Sequence, residues 1–517
     1  MTPRRSPIAS GPVSARSVLP GIESGGIPGP WLGCGLERFL YRWIRIVCFL
    51  LWAGLLVVLI QRHFFVRVVD LREGEVLRRG REESFMGMFY GEQRVGYVKY
   101  RMADTGPRTF LLTQEAFFRL NVLDTAYPVS MRLEANIDRD FILRDFDFHF
   151  ISTLYAAHVR GSVTGSEVVS VLRTGKDEVT RRIALASPPR IATNRRAHLL
   201  QKGIEPGDRL RVSYFDPMLF TEKDTVVEYR GREKILVKGR VQNLHHFVED
   251  SSGVRVGVWL DDTGRVVREE SPAGFVLVAE PEFQARDLDG AGPEILSSVA
   301  VPVSVVLPDL EGLVRLEVFL ETGTEEGFHL GVDRQRYHQG VLEVRKEDLP
   351  ENGVEVCSEP EELQASAYIH KDHPRVAGLV REVLEGETDP LRRVRLLAGW
   401  VYENLEKRPV IGVPDAVTTL GLLAGDCNEH AVLFAAMARN AGIPARVAAG
   451  VMYHRQAFFY HAWNEVCLDG RWISLDTTLN QFPADVGHIK FVQGELSDQM
   501  RIAALLGTLQ IKVLAYE

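Results

Sequence analysis

The chain has 517 residues, 45% of them hydrophobic and 25% charged, with a formal net charge of −8. Those values fit an ordinary globular protein of two to four domains and exclude a strongly basic nucleic-acid binder. Five cysteines over this length do not make a disulfide framework.

Residues 1–36 hold seven Gly, six Pro and five Ser, with no apolar periodicity. A stretch of this kind cannot bury a core, and a disordered cytoplasmic tail is expected over 1–42. Ile46 to Ile60 then runs fifteen residues without a charge, between Arg42 and Arg45 on one side and Arg62 and Arg67 on the other. Fifteen helical residues span only about 22 Å of a roughly 30 Å hydrocarbon core. Trp43, Phe64-Phe65-Val66 and snorkelling arginines extend the run, giving an expected transmembrane signal anchor over 43–66. Six arginines and two acidic residues precede Ile46, so the positive-inside rule puts later residues in the periplasm or outside the cell. No small-x-small cleavage site follows, and the anchor is read as uncleaved in the inner (cytoplasmic) membrane. The competing reading is a buried core helix.

From 84 to 280 the pattern is that of an antiparallel β domain. Phe85–Tyr90 and Arg94–Met102 flank Gly91-Glu92-Gln93, and Val254–Leu260 and Arg265–Glu269 flank Asp261-Asp262-Thr263-Gly264. Many short strands with Gly and Asp turns predict a curved sheet or half-barrel. No cluster of catalytic residue types stands out here, and His245-His246 reads as strand surface. Residues 281–352 form a second β stretch, with Pro302 marking an edge strand. Its pattern is compatible with a small domain or with an extension of the first sheet.

Helical periodicity begins near 370. Val376, Leu379, Val380, Val383 and Leu384 fall on one stripe, ended by Gly386. Asp389-Pro390 opens a second helix with an N-cap and an N1 proline, and Leu391, Val394, Leu397, Ala398, Val401 and Leu405 form its core face. Trp400 reads as core. The loop Val410–Thr419 leads to the next helix and is expected to line a cleft.

That helix carries a thiol. Asp426 and Glu429 read as a capping box, and Asn440-Ala441-Gly442-Ile443-Pro444 as a stop, so the helix runs from Cys427 to about Ala441. Cys427 sits in the first turn, where the helix dipole favours an anion and should lower the thiol pKa. Asp426 and Glu429 oppose that shift, so a basic partner is needed. The plain alternative is a structural cysteine beginning a core helix.

Phe459 to Leu468 alternates, with His461, Trp463, Glu465 and Cys467 on one face. Asp469-Gly470 predicts a two-residue hairpin, with Leu468 opposite Arg471. Asp476 then falls opposite Trp463, and Thr478 opposite His461. His461 and Asp476 become diagonal neighbours about 7–8 Å apart at Cα, within hydrogen-bonding reach. Cys467 lies about 20 Å along the strand from His461 and reads as an apolar filler, not a nucleophile. Cys427, His461 and Asp476 together supply nucleophile, base and orienting carboxylate. A zinc site from Cys427, His430 and His461 lacks paired ligand spacing, so no metal or cofactor is expected. Taken alone, His461 could equally be an ordinary strand histidine.

These segments resemble the transglutaminase-like superfamily of papain-type cysteine enzymes. The likeness rests on Gly425-Asp426-Cys427-Asn428-Glu429, Ala441-Gly442-Ile443-Pro444-Ala445-Arg446, His461-Ala462-Trp463 and Trp472-Ile473-Ser474-Leu475-Asp476. It covers about 370–490, within a catalytic domain taken as 353–517. The resemblance implies an α+β fold, with the cysteine helix packed on an antiparallel sheet. It also implies attack on an amide to form a thioester, which passes to water or to an amine. No upstream residue suits the oxyanion role, for which the Cys427 N–H is a candidate. The expectation is a membrane-anchored enzyme acting on protein or peptide amides, with hydrolysis favoured over cross-linking. The β region would present substrate or dock an envelope partner. The rival expectations are a non-catalytic envelope scaffold and a processing component directed at one partner protein.

Overall fold

The computed structural model describes residues 82–517, less 107–108, 139–140, 176, 201, 289–291, 295–298, 323–326 and 351–353, together with 47, 49–54 and 67–68. The expected disordered tail and most of the expected anchor lie outside the described residues. Residues 49–54 are helical. Among the described residues no helix is long and apolar enough to cross a membrane. Residues 1–64 and 65–517 are separate units, and everything below concerns the second.

Alternation of buried and exposed residues builds the β region. In Leu143–Ile151, for example, Phe146, Phe148 and Phe150 are buried while Arg144 and Asp145 are exposed. The strands from Glu82–Tyr90 to Asp177–Ala184 form one antiparallel meander, and those from Arg209–Asp216 to Phe275–Glu280 form another. Phe275–Glu280 pairs with Glu82–Tyr90, which joins both meanders into one 15-stranded sheet. The short strand Arg67–Val68 adds to Arg209–Asp216 in parallel. Gly96 and Gly161 stand where a Cβ would collide with Phe117 backbone and with the Phe146 ring.

The C-terminal body has two sheets and a helical layer. One sheet holds β1 (Val301–Pro302), β5 (Ala445–His454), β6 (Ala457–Leu468), β7 (Arg471–Leu475) and β8 (His488–Gln493). Its central pair is β5 and β6. β8 lies outside β5, and β1 and β7 both pair with β6. The other sheet holds β2 (Arg315–Glu321), β3 (Gln335–His338), β4 (Val341–Arg345) and β9 (Gln510–Tyr516), in the order β3-β4-β2-β9. The stretch after 281 therefore contributes one edge strand and three sheet strands to the C-terminal body.

Four helices supply the other layer: α1 (Pro374–Leu384), α2 (Pro390–Asn404), α3 (Ala416–Leu422) and α4 (Cys427–Asn440). The stripe residues Val376, Val380 and Leu384 of α1 and Leu391, Val394, Leu397 and Val401 of α2 are buried as their periodicity predicts. Asp389 caps α2 by accepting from the Arg392 N–H at 2.8 Å. Trp400 is half-buried against this core. α4 is buried on all sides from Glu429 to Arg439, because it lies between β5–β6 and the other three helices. The Asn464 side chain of β6 donates to the Ala431 carbonyl of α4 at 2.9 Å, tying sheet to helix.

Val410 and Val413 share a core with Phe146, Phe150 and Tyr155 of the β region. The loop expected to line a cleft is, at these two residues, a packing surface between the β region and the helical layer. Tyr368 donates to the Met218 carbonyl and reinforces the same junction.

Candidate functional site

Cys427 opens α4, His461 lies within β6 and Asp476 directly follows β7. Asp426 is the N-cap of α4, accepting from the Asn428 N–H at 2.9 Å, while Glu429 Oε2 accepts from the Asp426 N–H at 2.9 Å. This reciprocal capping box starts the helix at Cys427. The Cys427 N–H, in the first turn, has no intrahelical acceptor. Gly425 is required just before, since a Cβ there would meet Glu429 at 2.2 Å.

The β6–β7 hairpin turns at Asp469-Gly470, both with positive φ of 51° and 71°, as a type I′ turn demands. Leu468 pairs with Arg471 and Asn464 with Leu475, the register expected from the turn. The ladder ends there. Asp476 instead bridges to Gln481, in a tight turn whose Thr478 and Leu479 N–H groups donate to Asp476 Oδ1 at 2.7 and 3.2 Å. The other oxygen, Oδ2, accepts from His461 Nε2 at 2.8 Å. The neutral His461 ring therefore carries its proton on Nε2 and presents a bare Nδ1.

The sulfur of Cys427 lies against the Ala462 backbone N–H, which donates toward it. The thiol is thus beside the residue that follows His461. Cys427, His461 and Asp476 are brought to one place by α4, β6 and the turn after β7.

The electrostatics differ from expectation at the thiol. Cys427 is half-buried. Burial pushes its pKa well up, Asp426 and Glu429 add to the rise, and the Ala462 N–H only partly offsets them. The helix N-terminus was expected to lower it. Tertiary burial and two nearby carboxylates outweigh a partial charge of about half a unit. Asp476 moves the other way. Burial would raise its pKa, but His461 and His488 hold it far below the usual carboxylate range.

His488 and Asp485 are neighbours of the candidate site that sequence reasoning missed. His488 Nε2 lies 3.1 Å from Asp476 Oδ2, and its Nδ1 lies 3.0 Å from Asp485 Oδ1. The spacing Asp485-x-x-His488 is a visible signal, but its link to Asp476 depends on β8 returning beside β5. His430, weighed as a metal ligand, is instead turned to the Asp426 carbonyl, with Nδ1 2.7 Å away. Among the described residues, two groups of three side chains have ligand atoms within 4.8 Å of one another, Asp147–His149–His158 and His461–Asp476–His488. In the second group hydrogen bonds between the rings and the carboxylate satisfy the contacts without an ion.

Cys467 is not a filler. It forms a disulfide with Cys357, closing a separation of 110 residues. The strand distance from His461 that rules it out as nucleophile stands, but a partner this remote in sequence left no local trace.

Residues 377–477 match the transglutaminase-like superfamily model. That segment contains Cys427, His461 and Asp476 and stops short of His488. An uncharacterized protein of Haemophilus influenzae is 31% identical over 126 residues, which are 22% of this chain and 34% of that protein. The chain thus spans about a third of that relative's length. Among solved structures, a provisionally assigned cysteine protease from Cytophaga hutchinsonii is similar, at 18% identity and TM-score 0.25, over 40% of this chain and 86% of that one. A β-barrel-like protein of unknown function from Brucella abortus is similar at 12% identity and TM-score 0.30, over 42% of this chain and 97% of that one.

Proposed function

We propose that the C-terminal domain is a cysteine hydrolase acting on peptide or side-chain amides through Cys427, His461 and Asp476. The observation that carries the reading is the 2.8 Å hydrogen bond between His461 Nε2 and Asp476, which leaves Nδ1 free as a base, while the thiol meets the N–H of the next residue, Ala462. Sγ attacks the amide carbonyl carbon as its proton passes to His461 Nδ1. The tetrahedral intermediate collapses, and the same proton goes to the departing amine. Water, giving a proton to Nδ1, then attacks the thioester and releases a carboxylic acid, and His461 returns the proton to sulfur. Asp476 keeps Nε2 protonated throughout. Hydrolysis is favoured over cross-linking because nothing in the chain marks an amine-acceptor site.

We place this domain outside the cytoplasm, held by the apolar run 46–60. The Cys357–Cys467 disulfide supports an oxidising compartment. The β region, sharing a core with the helical layer, is proposed to dock substrate or an envelope partner.

A second reading, a non-catalytic scaffold, is favoured by one observation: burial raises the Cys427 pKa, where a poised nucleophile would have it lowered. The two readings separate on one experiment. The full chain in detergent is treated with an amide- or acyl-type thiol probe and digested for mass spectrometry. Labelling confined to Cys427 and lost in Cys427→Ala supports the hydrolase. Labelling undiminished in that variant, or absent from a folded wild type, sinks it.

A further inference from the structure

His488 takes no part in the steps above, yet it is fully buried and has a carboxylate on each ring nitrogen. Nδ1 lies 3.0 Å from Asp485 and Nε2 lies 3.1 Å from Asp476. An ionised carboxylate only accepts hydrogen bonds. Both ring nitrogens must then be donors, and the ring is an imidazolium. A neutral ring would set a bare lone pair against a buried carboxylate oxygen.

Both carboxylates have other donors that keep them ionised. Asp476 accepts from His461 and from the Thr478 and Leu479 N–H groups. Asp485 accepts from the Gly487 N–H at 2.9 Å and from Gln481 at 2.9 Å. Burial alone would discharge the His488 ring, but Asp476 and Asp485 outweigh it and push the pKa up to about 9.

The ring is also fixed in place. Arg334 donates to the carbonyls of Ala484, Asp485 and His488 at 2.6, 3.0 and 3.0 Å and pairs with Glu347 at 2.9 Å. Glu347 in turn accepts from the Ser474 N–H and hydroxyl. The Trp463 ring closes another side in a T-shaped contact, with centroids 5.3 Å apart. The His461 ring is 5.7 Å away.

We propose that His488 is a protonated positioning residue that shares Asp476 with His461 and, through it, sets how readily His461 gives up its proton. The proposal rests on the thiol chemistry above only for its readout. The charged and titratable groups facing this pair are Asp476 and Asp485, Arg334 and Glu347 behind the loop, and Cys427, Asp426, Glu429 and His430 from α4, the last also within electrostatic reach of Asp476. Of these, His488 is the cation in direct contact with the triad carboxylate. It opposes a charge on His461 that Asp476 favours. Removing it should make His461 hold its proton to higher pH. Removing Asp485, with His488 still charged, should do the reverse.

The test is the pH dependence of Cys427 alkylation by iodoacetamide, followed by peptide mass spectrometry on the full chain. The acidic limb of that profile reports loss of the first proton from the Cys427–His461 pair. A unit charge at the 5.7 Å ring separation, in an effective dielectric of about 20, moves this midpoint by about two pH units. His488→Gln is expected to shift the limb upward by that amount, and Asp485→Asn to shift it downward. Opposite shifts in folded variants are what a charge produces. Shifts of the same sign, or none, overturn the proposal. If His488→Gln does not fold, the 15N chemical shifts of the wild-type His488 ring decide alone: two protonated ring nitrogens at neutral pH support the proposal, and a neutral tautomer overturns it. A wild-type limb that moves on adding EDTA would replace the proton with a metal ion and also overturn it. Alkylation needs no substrate, so absent amide hydrolysis with these shifts intact would count against the hydrolase alone.

Discussion

Glu465 offers the sharpest test of how the strand bearing His461 is held. Its carboxylate accepts from Arg446 Nε at 2.7 Å and from Lys490 Nζ at 2.8 Å, linking β6 to β5 and β8. Arg446 also reaches Asp333 at 2.5 Å, and Lys490 contacts the same carboxylate. Side-chain exposure is 3% for Glu465, 3% for Lys490 and 7% for Arg446. The group is neutral only as two cations against two anions. Glu465→Gln leaves a net buried positive charge in contact with one remaining anion. Breaking a buried pair this way costs about 3–5 kcal/mol, mostly from the charge left uncompensated. The assay is urea unfolding of the full chain by tryptophan fluorescence. Trp472 lies under Arg446, 3.9 Å from guanidinium carbon to ring centroid, and reports locally. The sign with pH is fixed. Burial would raise the Glu465 pKa, but Lys490 and Arg446 hold it below the ordinary value. Its contribution is then complete above an unfolded pKa of about 4.3 and is lost as pH falls through the lower folded value. The gap between wild type and variant should be full at pH 7 and shrink in acid. A loss under about 1 kcal/mol at pH 7, or a gap that widens in acid, refutes the reasoning.

Two further outcomes follow from geometry. A Cβ on Gly450, which pairs with His461 across β5 and β6, would meet the Ile489 carbonyl oxygen at 1.9 Å; Gly450→Ala should cost about 2–3 kcal/mol by urea unfolding, and an unchanged midpoint would remove the close-packing argument. The Cys357–Cys467 bond closes a separation of 110 residues, so reduction, or Cys357→Ala with Cys467→Ala, should lower stability by up to about 5 kcal/mol in the chain-entropy account. Equal urea midpoints with and without reductant would contradict it.

Local signals carry the positions of Cys427 and His461 a long way. The Asp469-Gly470 turn set the hairpin register, and the capping box placed the start of α4, because both are decided within a few residues. The same reach limited the reading elsewhere. Cys467 finds Cys357 across 110 residues, and nothing beside either cysteine announces the other. His488 meets Asp476 only because β8 folds back along β5. The Cys427 pKa departs from its helix terminus for a related reason: the terminus and the opposing Asp426 and Glu429 are visible in the sequence, while the burial that raises it most comes from packing. The second β stretch was ambiguous because its partners lie near residues 457 and 510, well beyond it.

That last pairing bears on the order in which the molecule is assembled. β2 bonds to β4 on one side and to β9 on the other, and β9 begins at Gln510. During synthesis β2 has emerged long before its second neighbour exists. Until residues 510–516 arrive, its apolar Leu316, Val318 and Leu320, all buried in the finished protein, stand on an open strand edge, the kind of surface that pairs with strangers. The domain therefore passes through a vulnerable interval set by translation rate, and a chaperone or a rapid C-terminal docking step would matter more to its yield than to its final stability.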